Sequence, residues 1–164
     1  MHFTHEHHFD APVEDVFAML ADKEFAVKRA ETSGADASDA VFSGSIDEGF
    51  TVAIRRVVPS SSIPQEFRGF IGSDLTVRYS EVWSAPRGTE RQGTFSVEIV
   101  GAPGHASGRL LLTPEGNGTD FVVDGTVTVR VPLFGAMIEK SLLKNVIEGL
   151  ETELQAADAW LAAR

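Results

Sequence analysis

The segment LFGAMIEKSLLKNVIEGLETELQAADAWLAAR, residues 133–164, sets the terms for everything before it. Leu143, Ile147, Leu150, Leu154, Ala157 and Leu161 recur at spacings of 4, 3, 4, 3 and 4. Ile138, Leu142 and Val146 widen the stripe to the breadth of a core-facing helix. Lys140, Lys144, Glu148, Glu151, Gln155 and Asp158 form the opposite, wet face. About 30 residues at ~1.5 Å each give ~45 Å, enough to cross a whole small domain. A helix of that length must bury its stripe against one large apolar surface.

The preceding chain offers a sheet for that purpose. Residues 2–9, HFTHEHHF, alternate and read as a short strand. Asp10 then precedes Ala11 and Pro12, an N-cap and first-turn pattern, and Glu14 and Asp15 suit a helix N-terminus. Val13, Val16, Phe17 and Leu20 have helical spacing, so a helix is predicted over 12–23 and a second over 24–31. Six strands are expected next, over 39–47, 49–58, 74–85, 90–100, 106–113 and 119–131. Turn residues separate them, among them Asp47-Glu48-Gly49, Ala85-Pro86-Arg87-Gly88 and Pro114-Glu115-Gly116-Asn117-Gly118. Such short connections make the sheet antiparallel. A helical turn is expected over 60–72, where Phe67 and Phe70, with Phe134 and Met137, suit either a cavity entrance or ordinary packing.

Composition narrows the function classes. The 164 residues suit one domain, 1–164, with a single core. The net charge of -10 leaves no basic footprint for nucleic acid. There is no cysteine, which excludes disulfides, thiolate catalysis and zinc-thiolate sites. No apolar run reaches the roughly 18 residues of a membrane span, and no signal-peptide pattern opens the chain, so a cytoplasmic location is expected. No phosphate loop, dinucleotide fingerprint or nucleophile elbow is present. No cofactor is expected, and a homodimer is compatible with the sequence.

The order strand, helix pair, six strands, long helix, with HHFDAPVEDVFAMLAD near the start, FRGFIGSDLTVRYSEVW in the middle and VPLFGAMIEKSLLKNVIEGLETEL near the end, resembles the START-like (SRPBCC) superfamily. That helix-grip fold is shared by pollen-allergen-type carriers, polyketide cyclases and coenzyme Q-binding proteins. Within it, the chain is similar to a bacterial branch of unknown function. The resemblance implies an α+β fold: a seven-stranded antiparallel sheet wrapped around the C-terminal helix, with a cavity between them for an apolar small molecule. Fold alone does not choose between carrier and enzyme.

Strand alternation then assigns faces. Phe3, His5, His7 and Phe9 point inward; His2, Thr4, Glu6 and His8 point out. Leu75, Val77, Tyr79, Glu81 and Trp83 point inward, as do Phe95, Val97 and Ile99. On 49–58 the inward set is Val52, Ile54, Arg56 and Val58, although a register with Arg55 inside is nearly as good. Ile138 and Leu142 reach the cavity from the helix. An unpaired carboxylate at Glu81 would be expensive to bury, so pairing with Arg56, or with a histidine, is expected. Gly149 either makes room for a ligand or allows close packing, the second being favoured.

The expected function is binding or carriage of a lipid, polyketide or isoprenoid-like molecule by His5, His7, Arg56, Tyr79, Glu81, Trp83, Phe95, Val97, Phe134, Ile138 and Leu142. The alternative is a cyclase or dehydratase using Glu81 with His5 or His7. A third reading is an interaction module with a filled core. His5 and His7 could share a metal only with Glu81 as third ligand, and no metal site is expected.

Overall fold

A computed structural model of the chain describes residues 1–62, 65–70 and 74–164. Its elements are β1 (His2–Phe9), α1 (Val13–Leu20), α2 (Lys23–Thr32), β2 (Ala40–Ser45), β3 (Gly49–Val58), β4 (Leu75–Ser84), β5 (Arg91–Val100), β6 (Gly104–Glu115), β7 (Gly118–Val129) and α3 (Gly135–Ala162). The strands form one seven-stranded antiparallel sheet in the order β1-β7-β6-β5-β4-β3-β2. Consecutive strands from β2 to β7 are neighbours, and β1 closes onto β7. The result is the α+β helix-grip arrangement.

Local chemistry explains the helix ends. Pro12, not Asp10, holds the N-cap position of α1, and Glu14 and Asp15 occupy its first turn. The single helix expected to reach residue 23 stops at Leu20. Asp22 caps the next one, its Oδ1 accepting from the Glu24 N–H at 2.8 Å. The expected turn over 60–72 is only partly described. Short 3-10 turns span Ser60–Ser62 and Gln65–Phe70, and the side chains of Phe67 and Phe70 lie outside the described residues.

Helix α3 runs 28 residues, ~42 Å, and packs on β7, β1, α1 and α2. Its C-terminal half is the better buried, with Leu154 and Ala157 in the core. That core is aromatic. Trp83 lies edge-on to Phe17 at 5.8 Å between ring centres, and Phe17 meets Phe50 at 5.3 Å. Gly125 makes space for two more rings: a Cβ there would come within 2.7 Å of Phe95 and 3.0 Å of Phe3. Toward the N-terminal half of α3 the side chains are only half-buried, because the space beneath is not filled.

Candidate functional site

That space is a cavity of about 380 Å³ between the sheet, α2 and α3. Its wall is mainly aliphatic and aromatic, with Phe9, Ile54, Phe95, Val97, Ile99 and Leu142 among the lining residues. The helix presents a line slightly rotated from the expected seam: Ile138, Leu142, Asn145, Gly149 and Glu153 line the cavity, whereas Leu143 and Ile147 do not. Gly149 departs from the expected close packing. A Cβ there would meet nothing within 4 Å, so the glycine leaves open space rather than allowing close packing.

One polar cluster is buried in this wall. Glu81 and Arg29 are 3% and 2% exposed. Arg29 donates to Glu81 through two nitrogens, Nη1 to Oε1 at 3.2 Å and Nη2 to Oε2 at 2.6 Å. The Trp83 indole donates to Glu81 Oε1 at 2.5 Å, and the Tyr79 hydroxyl donates to Oε2. Arg29 Nη2 also donates to the Tyr79 oxygen at 3.3 Å. Glu81 therefore accepts four hydrogen bonds, which uses about all the acceptor capacity of a carboxylate.

Electrostatics follow from this geometry. Burial alone would raise the Glu81 pKa, but the Arg29 charge and the donated hydrogen bonds outweigh it and hold the carboxyl below its ordinary range. Burial and the negative Glu81 push Tyr79 well up, so it stays a neutral donor. Glu153, from α3, brings Oε1 to 2.6 Å from Arg29 Nε, though that N–H finds no well-directed acceptor. Burial and repulsion by Glu81 leave the Glu153 carboxyl above the usual range, with Arg29 opposing them only in part. A group with a raised folded pKa stabilises below its unfolded value and loses that contribution as pH rises. Glu153→Gln is therefore expected to stabilise the protein at pH 7 and to match it at pH 3, as read by urea midpoints.

The expected partner of Glu81 is Arg56, and the sheet register shows why the two do not meet. Val52 stands opposite Glu81, while Arg56 stands opposite Val77. Four residues along a strand is ~13 Å. Arg56 does face inward and lines the cavity, with Arg55 exposed. It donates instead from Nη1 to the Ser33 carbonyl at 2.7 Å, tying β3 to the end of α2.

His5 and His7 lie on the expected face of β1 but do not line the cavity. Strand β1 is four places from β4 in the sheet, a separation of ~19 Å. His7 Nε2 sits 3.0 Å from Asp158 of α3, and its ring lies edge-on to Phe9 at 4.7 Å. Neither histidine meets Glu81. Among the described residues, no three His, Asp or Glu side chains gather as a metal-holding group. Trp83 packs against Phe17 and Phe121 and does not line the cavity either. Phe134 and Met137, 43% and 52% exposed, sit at the start of α3 away from the lining. Tyr79, Glu81, Arg56, Phe95, Val97, Ile138 and Leu142 do line it.

Two residues that sequence reasoning passed over are central: Arg29 and Glu153. Both carried a readable signal. Arg29 shares a helix face with Phe25, Ala26 and Ala30, all buried. Glu153 sits between Leu150 and Leu154 on the apolar side of α3. A charge on an apolar helix face needs a buried partner.

A family model described as a protein of unknown function (DUF2505) matches residues 4–161. The chain belongs to the DUF2505 family. An uncharacterized protein of Mycobacterium tuberculosis is 25% identical over 118 residues, covering 70% of this DUF2505 chain and 68% of its own. Among solved structures, TTHA0849 from Thermus thermophilus matches with TM-score 0.63 at 17% identity over 99% of this chain and 98% of its own. Ara h 8.0201 matches with TM-score 0.59 at 13% identity over 100% and 99%. The di-domain ARO/CYC StfQ of the steffimycin biosynthetic pathway matches with TM-score 0.64 at 14% identity, covering 99% of this chain and 51% of StfQ. At these identities the likeness is one of fold, and that fold is the helix grip. Among the described residues, no helix of the DUF2505 chain is long and apolar enough to cross a membrane.

Proposed function

We propose that this DUF2505 protein binds or carries an apolar small molecule of lipid, polyketide or isoprenoid type in the cavity between sheet and α3. The observation that carries the reading is the cavity itself, about 380 Å³ and walled mainly by apolar side chains. Binding sites for small molecules are typically ~300–1,000 Å³, mostly apolar, with a few placed polar groups. The third reading, a filled core, is disfavoured because Phe9, Tyr79 and Phe95 form the cavity wall instead of occupying the space.

Catalysis by Glu81 with His5 or His7 lacks its geometry. A general base must offer a lone pair within reach of a substrate proton. The Glu81 lone pairs are taken by Arg29, Tyr79 and Trp83. The histidines are outside the cavity.

Native mass spectrometry of the protein after incubation with a cell lipid extract tests the binding reading. A retained adduct of small-molecule mass at one-to-one stoichiometry is expected. Spectra identical with and without extract would remove most of its weight.

A further inference from the structure

We infer that the occupant of the cavity is an amphipathic monoacid, its carboxylate received by Arg56 and its hydrocarbon part lying along the apolar wall. This rests on the binding reading above and adds the chemical class of the ligand.

Two guanidinium groups line the cavity, Arg29 and Arg56. Arg29 is committed to Glu81 and touches Glu153. Arg56 has no carboxylate within 4.0 Å among the described residues, and its one hydrogen bond goes to the neutral Ser33 carbonyl. Ser33 is the C-cap of α2, so only the partial negative charge of a helix end faces this cation. Its neighbour Arg55, pointing outward, lies 4.0 Å from Asp39.

An arginine cannot shed its proton to relieve the imbalance. Arg56 is half-buried, with Ile54 and Val58 on the same strand face and Val77 opposite. Four of its five N–H donors have no partner among the described residues. The planar fork matches a carboxylate in two parallel hydrogen bonds, and such charge-assisted pairs are the strong ones. Glu153 does not supply the missing negative charge. Its Oε1 lies 2.6 Å from Arg29 Nε, and it makes no ion pair with Arg56.

The same arrangement excludes other head groups. An amine would face Arg56 with like charge. A neutral alcohol or ester would accept one hydrogen bond and leave the cation uncompensated. A doubly charged phosphate would need a second uncommitted cation, and Arg29 is already held. One free guanidinium in an apolar wall selects a single negative charge.

The alternative is that Arg56 only fastens β3 to α2. Three probes of one chain length separate the two: sodium dodecanoate, methyl dodecanoate and dodecan-1-ol, each titrated into the protein and followed by native mass spectrometry and calorimetry. Dodecanoate should bind at least about tenfold more tightly than its methyl ester, the discrimination expected when a charged pair is present in one complex and absent from the other. In Arg56→Gln the preference should vanish while ester binding persists, which also shows that the variant is folded. Arg56→Lys should keep part of the preference, since it retains the charge and loses the fork.

Equal affinities of acid and ester for the unaltered protein would overturn the acid assignment and leave the cavity-binding reading intact. That comparison needs no variant. A preference for acid that survives in Arg56→Gln would overturn the role of Arg56. If none of the three probes binds, the binding reading falls and the acid assignment falls with it.

Discussion

Replacing Arg29 by leucine should destabilise the protein by about 3–5 kcal/mol at neutral pH, the loss seen when one partner of a buried ion pair is removed. The reason is local. Arg29 and Glu81 are both almost fully buried, and the change leaves Glu81 in the wall with only Tyr79 and Trp83 donating to it. The pH dependence identifies the mechanism. In the unaltered protein the Glu81 pKa is lowered. Its stabilising contribution is thus present above the unfolded carboxylate value of about 4.3 and is lost as pH falls through the folded value. In Arg29→Leu, burial without the guanidinium raises the Glu81 pKa instead. That contribution is present in acid and lost as pH rises. The two stability curves should therefore diverge between pH 4 and pH 7 in urea titrations. A constant gap from pH 3 to pH 7 would assign the loss to packing and not to charge.

Gly149→Leu should do the reverse, abolishing ligand retention while strengthening the fold. A glycine inside a helix costs roughly 1 kcal/mol against a good helix former. The added side chain would enter open space, since nothing stands within 4 Å of a Cβ at this position. The melting temperature should rise, and the adduct captured from a lipid extract should fall at least about tenfold because the leucine occupies the ligand's volume. An undiminished adduct would place the ligand elsewhere on the molecule. A fall in melting temperature would mean that α3 packs more closely there than its open surroundings allow.

Much of the architecture could be read from residue order. Period-two alternation identified β3 at both ends, Gly49 and Val58, but left the register with Arg56 inside only narrowly ahead of one with Arg55 inside; the sheet decided for Arg56. The same alternation turned Tyr79, Glu81 and Trp83 inward on β4 and split the N-terminal histidines between two faces. The amphipathic period of residues 133–164 identified α3, and hairpin turns made the sheet antiparallel. These are local properties. Each depends on side chains two, three or four positions apart, which chain geometry relates directly.

Pairings across the molecule were a different matter. Arg56 and Glu81 lie on neighbouring strands and both face inward, yet the hairpin register separates them along the strand direction by four residues. His5 and His7 point inward, but β1 joins the sheet beyond β7, far from β4. Glu81 is met instead by Arg29, 52 residues away on a helix that folds over the end of the sheet. Gly149 carries no trace in its neighbours of whether it faces a ring or a void. Alternation and helical period tell a side chain which way to point. What it meets there depends on strand register, sheet curvature and how far α2 and α3 stand from the sheet, and these arise only when every element packs at once.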